Sequence, residues 1–132
     1  MRLRYLLDAD TVSSALRGAG RVGERILARR PSELAVSSIT VAELRFGAAL
    51  RGSRKLSRQI SAFLQPLSVL PFDETAAERF GTLAVALRQA GSQIGTFDTL
   101  LAAQALVSGL TIVTNNIRHF ERIPGLEVES WA

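Results

Sequence analysis

The sequence predicts an α/β domain of three layers, with helices on both faces of a mainly parallel sheet of four or five strands. Three observations carry that expectation. Short apolar runs alternate along the chain with longer stretches of helical periodicity, the order expected of a sheet wound with helices. The runs are largely apolar, most of them interrupted only by single serines and threonines, as strands covered on both faces require. The 132 residues are 47% apolar, with a mean hydropathy of +0.18 and no repeat, low-complexity tract or linker. That describes a single domain over residues 1–132, able to bury a sizeable core.

Taken in order, residues 3–8 read as the first strand, an apolar run that ends on Asp8 and passes directly into a helix opening at Asp10 or Thr11. Residues 19–30 read as a second, short helix and 34–37 as the second strand. A third helix runs from Thr40 to about Leu50, with Thr40 and Glu43 spaced as a capping box. Residues 53–67 form a basic amphipathic helix. Ile60, Phe63, Leu64 and Leu67 make its apolar face, and Arg51, Arg54, Lys55 and Arg58 lie opposite. Residues 67–70 suit a short strand. Asp73 caps a helix over 74–90 that Gly91 stops, and residues 96–108 form another stopped by Gly109. The β-branched run 110–114 is the clearest strand, a turn at Asn115 and Asn116 follows it, and a last strand falls at 126–129.

Composition narrows the chemistry. The absence of cysteine excludes a disulfide scaffold, a thiolate zinc site and a cysteine nucleophile. A lone histidine, His119, rules out a histidine-rich metal site. Carboxylates and hydroxyls are left to carry any reaction. The net charge is +4, and every basic residue except Lys55 is arginine. The first 66 residues hold twelve basic and five acidic side chains. Either a polyanionic partner or a general bias toward arginine accounts for that excess. No apolar run has the length of a secretion signal or a membrane span, so the expected location is the cytoplasm.

In an open parallel sheet, ligands bind beyond the carboxyl ends of the strands. Asp8 and Asn116 are expected at that edge, and Glu43 and Asp98 in the first turns of their helices. Oxygen ligands converging from such distant positions suit a hard cation, Mg²⁺ or Mn²⁺. Each has a plainer reading. Glu43 serves equally as the capping partner of Thr40, and Asp98 as a charge favoured at a helix N-terminus. Asp10 reads as a cap or a supporting group, and Asp73 as a cap only. Asp8 is the hardest to explain away, because a carboxylate at a buried strand end is costly without partners.

The segments Leu6-Leu7-Asp8-Ala9-Asp10, Ser38-Ile39-Thr40-Val41-Ala42-Glu43-Leu44, Ile94-Gly95-Thr96-Phe97-Asp98-Thr99-Leu100 and Thr114-Asn115-Asn116 with Arg118-His119-Phe120 resemble, in this order, the PIN domains of VapC-type toxins. The ending Ile123-Pro124-Gly125-Leu126-Glu127-Val128-Glu129-Ser130-Trp131 fits the same pattern. The resemblance implies a ribonuclease of a toxin–antitoxin pair that uses Mg²⁺ or Mn²⁺. Asp8, Glu43 and Asp98 match the family's three acidic positions. Asn116 stands where many members carry a fourth acid, and Asp10 where the family usually has asparagine. On this reading Asp8 and Asp98 hold the ion, Glu43 orients a water, and Arg51, Arg54, Lys55 and Arg58 hold the RNA backbone. His119 lies near the site on this reading, in a surface or stacking role and not a proton-transfer role. Similarity to enteric VapC-type toxins points to tRNA as substrate. The implied partners are a VapB-type antitoxin, lying near Arg45, Phe46 and the 53–67 helix, and a second copy of the chain.

Two other functions compete. Asp8-Ala9-Asp10-Thr11-Val12 also fits the nucleophile motif of haloacid-dehalogenase-type phosphatases, but that scheme needs a lysine and a later acidic pair. The only lysine is Lys55, and no aspartate follows Asp98. The second is a catalytically silent PIN-like module that binds RNA or protein, with Asn116 marking decay of the site.

Overall fold

The computed structural model describes residues 2–132. Its elements run β1 (Tyr5–Leu7), α1 (Ala9–Leu16), α2 (Val22–Leu27), β2 (Leu34–Ser37), α3 (Ser38–Arg51), α4 (Arg54–Leu64), β3 (Ser68–Leu70), α5 (Glu74–Gln89), α6 (Thr96–Ser108), β4 (Thr111–Val113), α7 (Ile117–Phe120) and β5 (Val128–Glu129), with a 3₁₀ turn at Pro31–Glu33 before β2. The five strands form one all-parallel sheet in the order β3-β2-β1-β4-β5. The expected fold class is therefore observed.

β1 is central, pairing Tyr5 with Leu34 on one side and with Thr111 on the other. Successive strand residues point to opposite faces. Leu7, Val36 and Val113 join one apolar cluster with Val12, Leu44 and Ile60 from the helices that cover it. Leu6, Ala35 and Ile112 join the other with Leu83, Leu101 and Phe120. The apolar runs of β1 and β2 are thus explained, since both strands are buried on both faces, while the edge strands β3 and β5 are partly exposed.

Helix boundaries follow local chemistry. α6 occupies the expected residues and ends at Gly109, which takes the left-handed conformation at φ 67°. α5 is capped by Asp73, whose carboxylate accepts from the Ala76 amide at 3.0 Å. The second helix is much shorter than expected, because Gly18 and Gly20 turn the chain at positive φ before it and Pro31 opens the 3₁₀ turn after it. α4 stops at Leu64, since Pro66 cannot extend the hydrogen-bond ladder.

Two starts differ from expectation in ways that bear on the site. α1 opens at Ala9, and Asp8 is its N-cap, accepting from the Thr11 amide at 2.8 Å. α3 opens at Ser38, capped by Ser37, whose hydroxyl accepts from the Ile39 amide at 3.0 Å. The capping box of Thr40 and Glu43 therefore does not form. Thr40 is fully buried inside the helix, and Glu43 sits in the second turn, free of any capping duty. The reason is that β2 runs into α3 with no intervening loop, so the first available hydroxyl takes the cap.

Short α7 was not foreseen. It is pinned by Phe120, which is completely buried against the α5–α6 side of the sheet. Replacing Phe120 with alanine should cost about 3–5 kcal/mol in equilibrium denaturation; a cost below ~1 kcal/mol would show that α7 is not anchored through this ring.

Candidate active site

The strand order reverses direction between β1 and β4, so the crevice beyond their carboxyl ends is the topological switch point of the sheet. Asp8 follows β1 there directly. Its backbone amide donates to Val113 O at 3.0 Å, and the Thr11 hydroxyl donates to the same carbonyl at 3.0 Å, which ties the start of α1 to the end of β4. Past β4, the Asn115 side-chain amide donates to Ser14 Oγ of α1 at 2.9 Å, and the Asn116 backbone amide donates to Thr114 Oγ1 at 2.9 Å.

Asp8 is 6% exposed. Burial raises its carboxyl above the usual aspartate range, and hydrogen bonds from Thr114 and from the Thr11 amide only partly offset that. Glu43 is raised as well, first by burial and then by the negative charges of Asp98, Asp10 and Asp8. Four carboxylates from α1, α3, α6 and the β1–α1 junction therefore share one field. Asp98, the third residue of α6, is paired to His119 of α7: Nδ1 lies 2.8 Å from Asp98 Oδ2. A carboxylate accepts, so Nδ1 carries the proton.

The structure thus brings Asp8, Glu43 and Asp98 into one field and adds Asp10, which points to the crevice and not to a capping role. Asn116 lies at the mouth of α7 without capping it through its side chain. The bond from Asn115 to Ser14 was not foreseen. His119 lies near the site and partly exposed, as the resemblance implies, and its direct contact with Asp98 is the addition. A histidine 21 residues from its aspartate leaves no local signal; only the packing of α7 beside α6 joins them.

The donor set fits a hard divalent cation. It is made of carboxylate oxygens whose mutual repulsion a cation relieves. Among the described residues, no three His, Asp or Glu side chains are close enough to cage an ion. Mg²⁺ keeps several waters and needs only one or two carboxylates, so that spacing suits it.

Glu43 also lines a groove of about 480 Å³ between α1, α3 and α4, with Leu16, Leu44, Leu56 and Ile60 along its wall and Arg17, Arg51 and Lys55 beside them. Of the four basic residues expected to bind RNA, Arg51 and Lys55 belong to this groove. Arg54 borders a neighbouring hollow, and Arg58 is exposed farther along α4. Arg17 is an addition. Arg45 is engaged inside the fold, donating to Ser57 O at 3.0 Å and Ser61 Oγ at 2.9 Å, and so clamps α3 to α4.

A parallel sheet with carboxylates gathered at its switch point and a basic groove beside them defines the PIN-domain class. The chain belongs to the PIN-domain family, whose model matches residues 5–126. Within it, the chain is similar to VapC ribonucleases. It is 34% identical to the tRNA(fMet)-specific endonuclease VapC of Salmonella typhimurium, over 98% of each chain, and 37% identical to ribonuclease VapC2 of Haemophilus influenzae, again over 98% of each. Among solved structures, VapBC of Salmonella typhimurium bound to DNA matches with a TM-score of 0.86 at 34% identity, covering 98% of this chain and 99% of that one. VapBC2 of Rickettsia felis bound to a promoter DNA fragment matches with a TM-score of 0.87 at 30% identity, covering 98% and 100%.

Because burial raises the folded-state pKa of Asp8, the protein loses stability as pH climbs from 3.8, the unfolded value, through the raised folded one. Asn caps helices as well as Asp and carries no charge. Asp8→Asn should therefore melt higher than the wild type at pH 7, with the gap closing below pH ~4. A lower melting temperature at pH 7 would refute the buried-charge account.

Proposed function

We propose that the chain is a divalent-metal-dependent endoribonuclease, the toxin of a toxin–antitoxin pair, acting on structured RNA of the tRNA class. The observation that carries this reading is the raised carboxyl of Glu43, which feels Asp8, Asp10 and Asp98 at once. Three acids from two separate segments, Asp8 with Asp10 at the start of α1 and Asp98 on α6, act on a fourth, an arrangement that stability alone disfavours. The VapC names of the relatives and the VapBC complexes among the structural matches support the same reading.

Asp8 and Asp98 would hold Mg²⁺ or Mn²⁺, which supplies a Lewis acid for the phosphodiester and makes water acidic enough to react near neutral pH without a histidine base. The protein's own part is positional. Thr11 and Thr114 hold the Asp8 carboxylate, and the short β1–α1 junction leaves it little freedom. Glu43, raised by burial and by the neighbouring carboxylates, is suited to orient the attacking water and take its proton at a carboxylate oxygen. Arg51 and Lys55, with Arg17, bind backbone phosphates leading to the crevice, while Arg54 and Arg58 extend the basic track along α4. Water attack with departure of the 3′-oxygen leaves 5′-phosphate and 3′-hydroxyl ends. Asn116 adds no charge, so the site favours one tightly held ion over two.

The partner is a VapB-type antitoxin that brings a cation to the carboxylates and lays an apolar segment along the groove. Phe46 and Leu50, 68% and 74% exposed one turn apart on α3, suit a homodimer contact. No helix among the described residues is long and apolar enough to cross a membrane, and the reading places the protein in the cytoplasm with its RNA.

Cleavage of tRNA should require Mg²⁺ or Mn²⁺, stop with EDTA, and fall roughly 100-fold or more in Asp98→Asn with melting unchanged. RNA binding without cleavage under either metal would favour the silent binding module. Replacing Arg51 and Lys55 with glutamine should flatten the logarithmic salt dependence of RNA affinity by about 0.7 per charge removed; an unchanged slope would place the RNA elsewhere.

A further inference from the structure

We infer that His119 is a positioning residue of the site: through Nδ1–H it holds one oxygen of Asp98, so that the carboxylate meets the divalent ion in a single orientation. This rests on the ribonuclease reading above.

The two acids assigned to the ion are not supported alike. Asp8 is fixed by the Thr11 amide and by the Thr114 hydroxyl. Asp98 lies on the first turn of α6 with its side chain about a third exposed, and His119 is the side chain that grips it, at 2.8 Å. Without that contact, the Asp98 carboxylate could turn about both side-chain torsions at the edge of the crevice.

The gripping group is itself rigidly mounted. α7 is short, but Phe120, the next residue, is fully buried, and Ile123 is 3% exposed in the same cluster. On the other side, the Asn116 amide is tied to Thr114 Oγ1, beside the Thr114 hydroxyl's service to Asp8. The chain leaving β4 thus supports Asp8 through Thr114 and Asp98 through His119, and sets both carboxylates from one element.

Stability does not account for the contact. The imidazole is 44% exposed, outside both apolar clusters, and an exposed pair of this kind contributes little to folding. What it does determine is the direction of a carboxylate. Groups that orient a ligand from behind characteristically change ion affinity by about 10–100-fold when removed.

The test is Mn²⁺ titration of the full chain without RNA, by calorimetry or electron paramagnetic resonance, for the wild type, His119→Leu, His119→Asn and Asp98→Asn. Leucine should weaken Mn²⁺ about 10–100-fold without lowering the melting temperature. Asparagine, whose amide nitrogen falls close to the position of Nδ1, should restore most of the affinity. In RNA cleavage at fixed subsaturating Mn²⁺, His119→Leu should lower kcat and leave KM for RNA unchanged. Wild-type Mn²⁺ affinity in His119→Leu, or equal losses in the leucine and asparagine variants, would overturn the inference. If the wild type binds no Mn²⁺, or Asp98→Asn binds it as tightly as the wild type, the metal reading itself falls, and this inference with it.

Discussion

A carboxylate buried at the end of the central strand is the constraint around which the rest of this molecule is arranged. β1 is covered on both faces by apolar side chains and flanked by β2 and β4, so the residue that leaves it meets almost no water. Placing Asp8 there raises its carboxyl and costs folding energy. The fold limits that cost with a short hydrogen bond from the Thr11 amide, a further one from the Thr114 hydroxyl, and the positive end of α1, which begins at the next residue. Tight β–α junctions after β1 and after β2 follow from the same economy of space. Asp8, which caps α1, follows β1 directly, and β2 ends on Ser37, which caps α3.

The other acids extend the conflict. Glu43 occupies a second-turn position on α3 where no backbone donor needs it, and three carboxylates act on it. Such a cluster is unfavourable in the isolated chain and becomes favourable when positive charge arrives, whether as a divalent ion with RNA or as a cationic side chain of a partner. Catalysis and inhibition then draw on one electrostatic deficit, and whatever neutralises the crevice stabilises the fold by binding its native state. The groove running from Glu43 between α1, α3 and α4 extends the same opportunity, with apolar residues for a peptide and arginines for phosphates.

α7 shows how a small element can set a site. Four residues long, it would have no stability alone. Phe120 fixes it to the α5–α6 layer, and this carries the imidazole of His119 to Asp98. The corner after β4 is thus a mount for side chains from two other elements, and its order depends on core packing several ångströms from any charge.

Much of this was legible in the sequence. Uninterrupted apolar runs such as Tyr5-Leu6-Leu7 and Thr111-Ile112-Val113 can only be strands buried on two faces, which implies a parallel sheet with helices on both sides. Asp73, Gly91 and Gly109 marked helix ends through local backbone chemistry, and α6 and nearly all of α5 fell where they indicated. Asp8, Glu43 and Asp98 were singled out by residue type and position. What the sequence could not decide was everything that depends on two distant segments meeting. Thr40 and Glu43 have the spacing of a capping box, yet Ser37 takes the cap because β2 runs directly into α3. The resemblance set His119 near the site, but its partner Asp98 was decided by packing, because Phe120 is drawn into the core and carries the imidazole there. Patterning and caps are set by neighbours within a few residues and can be read along the chain. The direction and company of a charged side chain are set by packing between elements, and only the tertiary structure contains that.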